Sequence, residues 1–322
     1  MSKRIIILGA VVLAVVLAWT GFWFFLAGQL RQQVEALAYA DGETAPQFSC
    51  AGLDIGGFPF RFDVDCTDAV VVSGDIMAEI PDLRASAMLY KPNHILVWAR
   101  GPLDLSDAFT GQRSAMDWAG MEASIRIEDW RIARISVLAD GLVWTDRLFD
   151  ELIAKADHAE FHLLDMPEAH DANRHLAALA SYANARNVSV PGLDIAGGMA
   201  ELETELTNLP DDIRALGAEP LLPAWQRAGG VLRLTRLHAS DASADLEANG
   251  EIRLDERGLA NGTVAITSTG LAERIGPLIE EPWRTIVLGV PGPDGAHHNQ
   301  INLRAGTVSS GLVPIAALPA LF

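Results

Sequence analysis

Basic residues are scarce in this chain: 24 Lys and Arg stand against 42 Asp and Glu, for a formal net charge of −18. That deficit excludes nucleic acid as a natural partner, because a phosphate backbone has to be neutralised by Lys and Arg. Cysteine is nearly missing, with only Cys50 and Cys66, and two ligands without a third or fourth beside them argue against a structural metal. Catalytic signatures are missing too. No Gly-x-Ser-x-Gly elbow, Ser-x-x-Lys pair, Walker loop, Gly-x-Gly-x-x-Gly turn or His-Glu-x-x-His helix occurs, so the sequence names no catalytic residue and no cofactor. His158 and His162 sit four apart, but on a strand they lie about 13 Å apart, too far to share one ion. A solvated strand face is the expected role, and no metal site is assigned.

The last deficiency is local and positive in meaning. From Ile5 to Ala27 there is no Asp, Glu, Lys or Arg. A helix over this stretch rises about 34 Å, enough for the roughly 30 Å hydrocarbon core of a bilayer. Lys3 and Arg4 precede it and only Arg31 follows closely, which by the positive-inside rule puts the N-terminus in the cytoplasm and the rest across the inner membrane. A cleaved signal peptide is the rival reading. Its apolar region is normally shorter, and bulky Phe25 stands where a small residue should be for cleavage after Ala27. Trp19, Trp23, Phe24 and Phe25 suit a membrane-interface belt. With Lys3 and Arg4 set aside, the remainder carries −20, which anionic headgroups repel.

Residues 1–27 thus form a cytoplasmic tip and membrane helix, 28–46 a stalk helix and linker, and 47–322 an exported domain. A short echo, Gly52-Leu53-Asp54-Ile55-Gly56-Gly57 against Gly192-Leu193-Asp194-Ile195-Ala196-Gly197-Gly198, divides that domain into two candidate related halves, 47–190 and 191–322. An oxidising compartment favours a Cys50–Cys66 disulfide over two free thiols, and a hairpin centred on Gly57-Phe58 sets the two opposite each other.

Beyond Gln47 the pattern is one of short strands between turn residues, an antiparallel meander. Ser124 to Leu138 alternates as one long run, and Leu246 to Leu254 alternates strictly. Helices are expected at Thr145 to Ala156, Ala172 to Arg186, Leu221 to Arg227 and Leu271 to Glu280. The fold class is mainly β with a few short helices (α+β), a curved antiparallel sheet with an open groove, behind one N-terminal transmembrane helix. Phe58, Phe60, Phe62 and Val64 are candidates to line that groove, their alternative being an ordinary core strand.

Gly57-Phe58-Pro59-Phe60-Arg61-Phe62 and Pro223-Ala224-Trp225-Gln226-Arg227-Ala228-Gly229-Gly230 resemble motifs of a bacterial envelope family known as domain of unknown function 2125. Asn249-Gly250-Glu251-Ile252-Arg253-Leu254-Asp255 with Gly258, Asn261 and Gly262 fits the same pattern, as do Ala305-Gly306-Thr307-Val308 and Leu318-Pro319-Ala320-Leu321. The resemblance implies an exported, β-rich, membrane-anchored protein and supplies no activity. More loosely the chain is similar to AsmA-like envelope proteins, whose curved sheets are associated with lipid handling. The expected role is non-enzymatic. One reading is a periplasmic protein of envelope organisation that binds or transfers a lipid-like ligand in an apolar groove. The alternative is a closed β core docking an envelope protein partner, and a third is an enzyme with an unrecognised site. The bilayer itself is the partner of Ile5 to Ala27.

Overall fold

The computed structural model describes residues 2–42, 45–215, 220–275, 283–293 and 295–322. The chain divides into two compact units, Met1–Ser114 and Ala115–Phe322.

The first unit opens with helix α1 (Ser2–Ala36), followed by a single 3-10 turn, Leu37–Tyr39. The apolar stretch and the expected stalk are therefore one continuous helix to Ala36. After Gly42 come β1 (Gln47–Gly56), β2 (Arg61–Ser73), β3 (Ile76–Met88), β4 (Lys91–Arg100) and β5 (Leu103–Asp107). β3 is the hub. It pairs with β2 along its whole length, and on its other edge with β4 at one end and β5 at the other. Cys50 and Cys66 form a disulfide, with Cα atoms 5.4 Å apart. The register differs from the expected one: the turn spans Gly57 to Phe60, so the ladder pairs Cys50 with Ala69 and Cys66 with Leu53. Pro59 has no N–H to give a ladder, which delays β2 to Arg61. The ladder skips Ala51 and Asp68, where Asp68 takes φ 47°, and at this irregularity the two cysteines meet.

β6 (Arg113–Asp117) straddles the division. The second unit continues with β7 (Gly120–Glu128), β8 (Arg131–Asp146), β9 (Glu151–Asp165), β10 (Leu176–Val190), β11 (Ile195–Pro210), α2 (Leu221–Arg227), β12 (Val231–Ser240), β13 (Asp245–Leu254) and β14 (Ala260–Thr269). It closes with α3 (Leu271–Ile275), α4 (Trp283–Leu288), β15 (Val290–Pro291), β16 (His297–Arg304), β17 (Thr307–Ser310) and β18 (Val313–Ala317). From β7 to β14 each strand pairs antiparallel with the next, and β16 to β18 extend the series from β14.

Three expectations are corrected here. Ala172 to Arg186 is not helical; its Ala-rich composition favours helix, yet Leu176 onward is strand β10, held by ladders to β9 and β11 on both edges. Thr145 to Ala156 is the β8–β9 hairpin. The Asp146 carboxylate accepts the N–H groups of Leu148 and Phe149, and Asp150 takes φ 55°, so local side-chain bonding makes a turn where apolar spacing suggested a helix. The run from Ser124 to Leu138 is two strands: Asp129 and Trp130 both have positive φ and form a tight hairpin turn that alternation passes through unseen. Of the helix expected over 271–280, Leu271–Ile275 is observed and the rest lies outside the described residues. The echoed motif folds in two ways, within β1 in one copy and as a 3-10 turn at Pro191–Leu193 in the other.

α2 matches expectation to the residue, and its ending explains the Gly229-Gly230 pair. The Gly230 N–H bonds to the Trp225 carbonyl and the Gly229 N–H to that of Gln226, a Schellman closure with Gly229 at φ 75°. The Trp225 ring is buried and donates its indole N–H to the Thr207 carbonyl of β11 at 2.7 Å. It lies flat against Gly230, where an added Cβ would stand 2.1 Å from the ring. Gly230→Ala must therefore push Trp225 off β11. The expected cost is about 1–3 kcal/mol, read as a lower urea midpoint for the purified full-length protein.

Candidate apolar binding face

Because successive strand residues point to opposite faces, the ladders assign every side chain of the second unit to one of two faces. One face carries Ile125 on β7, Ile135 and Val137 on β8, and Phe161 and Leu163 on β9. It continues through Ala183 on β10, Leu202 on β11 and Leu237 on β12. Leu246, Ala248 and Ile252 on β13, Val264 and Ile266 on β14 and Ile301 on β16 complete it. The opposite face is ionic. Arg233 pairs with Glu205 at 2.6 Å, His238 with Asp245 at 2.9 Å, Arg236 with Glu247 at 3.4 Å and His158 with Asp140 at 2.6 Å.

The apolar face is only partly covered. Its small residues Ala139, Ala248 and Ser268 are buried, whereas Val137, Leu163, Leu202, Leu237, Val264 and Ile266 all keep access to solvent, and Phe161 is 40% exposed. A face closed by a second layer would bury the large side chains first. Cover is found toward the β16–β17 edge, where the Ser310 hydroxyl bonds to the Ile286 carbonyl of α4 and Leu288 is buried. Near the middle of β13 and β14, Gly250 and Gly262 let the backbones close in; a Cβ on either would sit about 2 Å from a carbonyl of the neighbouring strand.

In the first unit the aromatic residues singled out in the sequence come together around α1. Trp23 is 2% exposed, stacks on Phe62 at 5.4 Å and meets Phe58 edge-on at 5.5 Å. Its indole N–H donates to the Arg61 carbonyl, and that of Trp19 donates to Pro59. Phe24 stacks on Phe58 at 6.0 Å, while Phe25 is exposed. Val64 is half-buried and Phe60 is exposed beside Trp19. Phe62 thus faces the chain's own helix, and the open apolar surface of the second unit is built from residues that were not singled out. Their signal was present as alternation in β9, β12 and β13.

Polar clusters exist, and their charges are matched internally. A cleft of about 660 Å³ in the first unit is lined by Arg61, Asp63, Asp65, Asp82, Arg84 and Arg100 beside Trp98. There Arg61 pairs with Asp63, Arg84 with Asp65 and Arg100 with Asp82, and the hydrogen bond that Arg84 donates to the Asp65 carboxylate raises the Arg84 pKa. His162 contacts Ser136 and Glu160, and His170 contacts Asp211. Among the described residues no group of three His, Cys, Asp or Glu is arranged to hold a metal.

This is a β-sheet protein with one open apolar face and one N-terminal helix long and apolar enough to cross a membrane. The chain belongs to the bacterial family described as "Uncharacterized protein conserved in bacteria (DUF2125)", which matches residues 23–319. No curated protein and no solved structure matches it.

At one end of the second unit a hollow of about 600 Å³ lies between the β10–β11 and β12–β13 turns and the start of α3. Behind its lining, Asp241, whose side chain is 5% exposed, holds Ser243 and Arg274 in place by accepting the N–H groups of Ser243 and Ala244 and pairing with Arg274. The Ser243 N–H and then Arg274 hold its pKa down to about 2, against the opposing effect of burial. A carboxylate lowered from 3.8 to about 2 contributes stability that is full above pH 4 and is lost as pH falls through 2. Asp241→Asn keeps the acceptor for the turn and loses the ion pair. The variant is expected to be less stable than the parent at pH 7, with the difference shrinking between pH 4 and pH 2 in chemical denaturation.

Proposed function

We propose that this protein is a single-pass inner-membrane protein with its N-terminus in the cytoplasm and its body in the periplasm, and that its open apolar sheet face holds the acyl chains of a lipid-like ligand. The role is non-enzymatic binding or transfer in the bacterial envelope. The observation that carries the reading is the half-uncovered apolar face from β7 to β14. Exposed methylenes cost about 0.8 kcal/mol each in water. In a chain tied to a bilayer, the apolar material at hand to cover them is lipid. Lys3 and Arg4, in the first turn of α1 just before its apolar stretch, and the Cys50–Cys66 disulfide support the orientation.

The test uses the full chain in its own membrane. A photo-crosslinking amino acid is placed at Phe161, Leu202 or Ile266 on the apolar face, and at Tyr182 or Arg236 on the ionic face. Lipid adducts detected by mass spectrometry at the first three positions and not at the last two are the expected result. Equal labelling of both faces, or none on the apolar one, would sink the lipid reading. Protein adducts confined to the apolar face would replace it with a docking surface for an envelope partner.

A further inference from the structure

The first unit carries a second apolar feature that the sheet of the second unit does not explain. At the β1–β2 tip, Phe58 and Phe60 are 47% and 59% exposed, although Phe58 lies against buried Trp23 and Phe60 against Trp19, itself exposed. From Ile55 to Phe60 the chain has no charged residue. We infer that this tip is immersed in the bilayer beside α1, in the leaflet on the side of the body. The inference rests on α1 spanning the membrane.

Two contacts fix how far the hairpin reaches along the helix. Arg31 donates to the Leu53 carbonyl at 2.8 Å, and Trp19 donates to the Pro59 carbonyl at 3.0 Å. Trp19 to Arg31 is about 18 Å of helix; between the two contacts the chain is strand from Leu53 to Gly56 and turn from there to Pro59. This arm of the hairpin therefore runs alongside the helix, back toward its N-terminus, between the two contacts. Arg31 is the first charged residue after the apolar stretch, and Trp19 lies about 12 Å inside the end of that stretch at Ala27. A helix seated with Ile5 to Ala27 in the bilayer carries the tip in with it.

The backbone is prepared for that place. In hydrocarbon every carbonyl needs a partner from the protein itself. The Gly57 carbonyl accepts from the Arg61 N–H, Phe60 from the Leu89 N–H, and Pro59 and Arg61 from the indoles of Trp19 and Trp23. Proline at position 59 removes an N–H that would need an acceptor. The adjoining β3–β4 turn adds Met88 and Tyr90, 42% and 76% exposed, at the same end of the sheet.

The experiment reads immersion directly. With the native disulfide closed, single cysteines introduced by Phe60→Cys, Phe58→Cys, Val12→Cys and Asp75→Cys in the full chain are labelled with an environment-sensitive nitrobenzoxadiazole dye. The protein is then reconstituted into phosphatidylethanolamine–phosphatidylglycerol vesicles containing doxyl-labelled phosphatidylcholine. Phe60 is exposed and touches only exposed Trp19, so its replacement removes no core and position 60 is the decisive label; Phe58 also packs on Trp23 and Phe24. The expected outcome is that labels at positions 58, 60 and 12 are quenched by the doxyl lipid and protected from aqueous iodide, with Asp75→Cys showing the opposite. Iodide quenching at 58 and 60 as strong as at 75, with position 12 still shielded, would overturn the immersed tip while leaving the membrane anchor standing. Iodide access at position 12 would overturn the anchor and the tip together.

Discussion

A sheet made of alternating residues has two faces, and water tolerates an apolar one only if something lies over it. The second unit depends on how that constraint is met. Its strands need no second layer to stay in register, because every interior strand exchanges ladder hydrogen bonds on both edges and one face is laced with ion pairs. Those pairs are solvent-exposed and individually worth little, about 0–1 kcal/mol. They make the ionic face unsuited to pack against another apolar layer and so fix which face is wet. The other face has α4 toward one edge and buries its smallest residues first. An apolar surface left this open returns nothing to stability, since each square ångström removed from water would contribute about 25 cal/mol. Its retention is intelligible if the cover arrives from outside the chain.

The first unit meets the same constraint internally. The body-side part of α1 shows one covered stripe, with Trp23 and Ala27 buried and Leu30, Arg31 and Val34 partly so, on one helix face. That stripe lies against β1 and the β1–β2 tip. Trp23 is well suited to the junction: its ring body supplies apolar area to Phe58 and Phe62, and its indole N–H serves the Arg61 carbonyl. The Cys50–Cys66 bridge ties together the two strands that the helix rests on. The last part of the helix is thus apolar toward its own sheet, while its first part, from Ile5 onward, is apolar and exposed all round.

How much of this was legible follows from the range of the forces involved. Alternation over Leu246 to Leu254 and the Gly-Gly stop after Arg227 are local signals, and both were read as they fold. Leu176 to Arg186 was not, because Ala and Leu speak for helix and the two strands that overrule them lie in other parts of the sequence. The hairpin at Asp129-Trp130 hid for a different reason: a two-residue turn preserves the alternation on either side. The Trp23–Phe62 stack joins residues 39 positions apart, beyond any periodicity, so the aromatics were visible as a group and their pairing was not. The open face is the instructive case. Period two announced that Leu202, Leu237 and Ile266 share a face, but alternation reads the same whether a second sheet, a helix or a lipid lies over it. Only the ladder registers, joined to the partial exposure of the large side chains, turn a pattern of apolar residues into a surface that the second unit leaves partly uncovered.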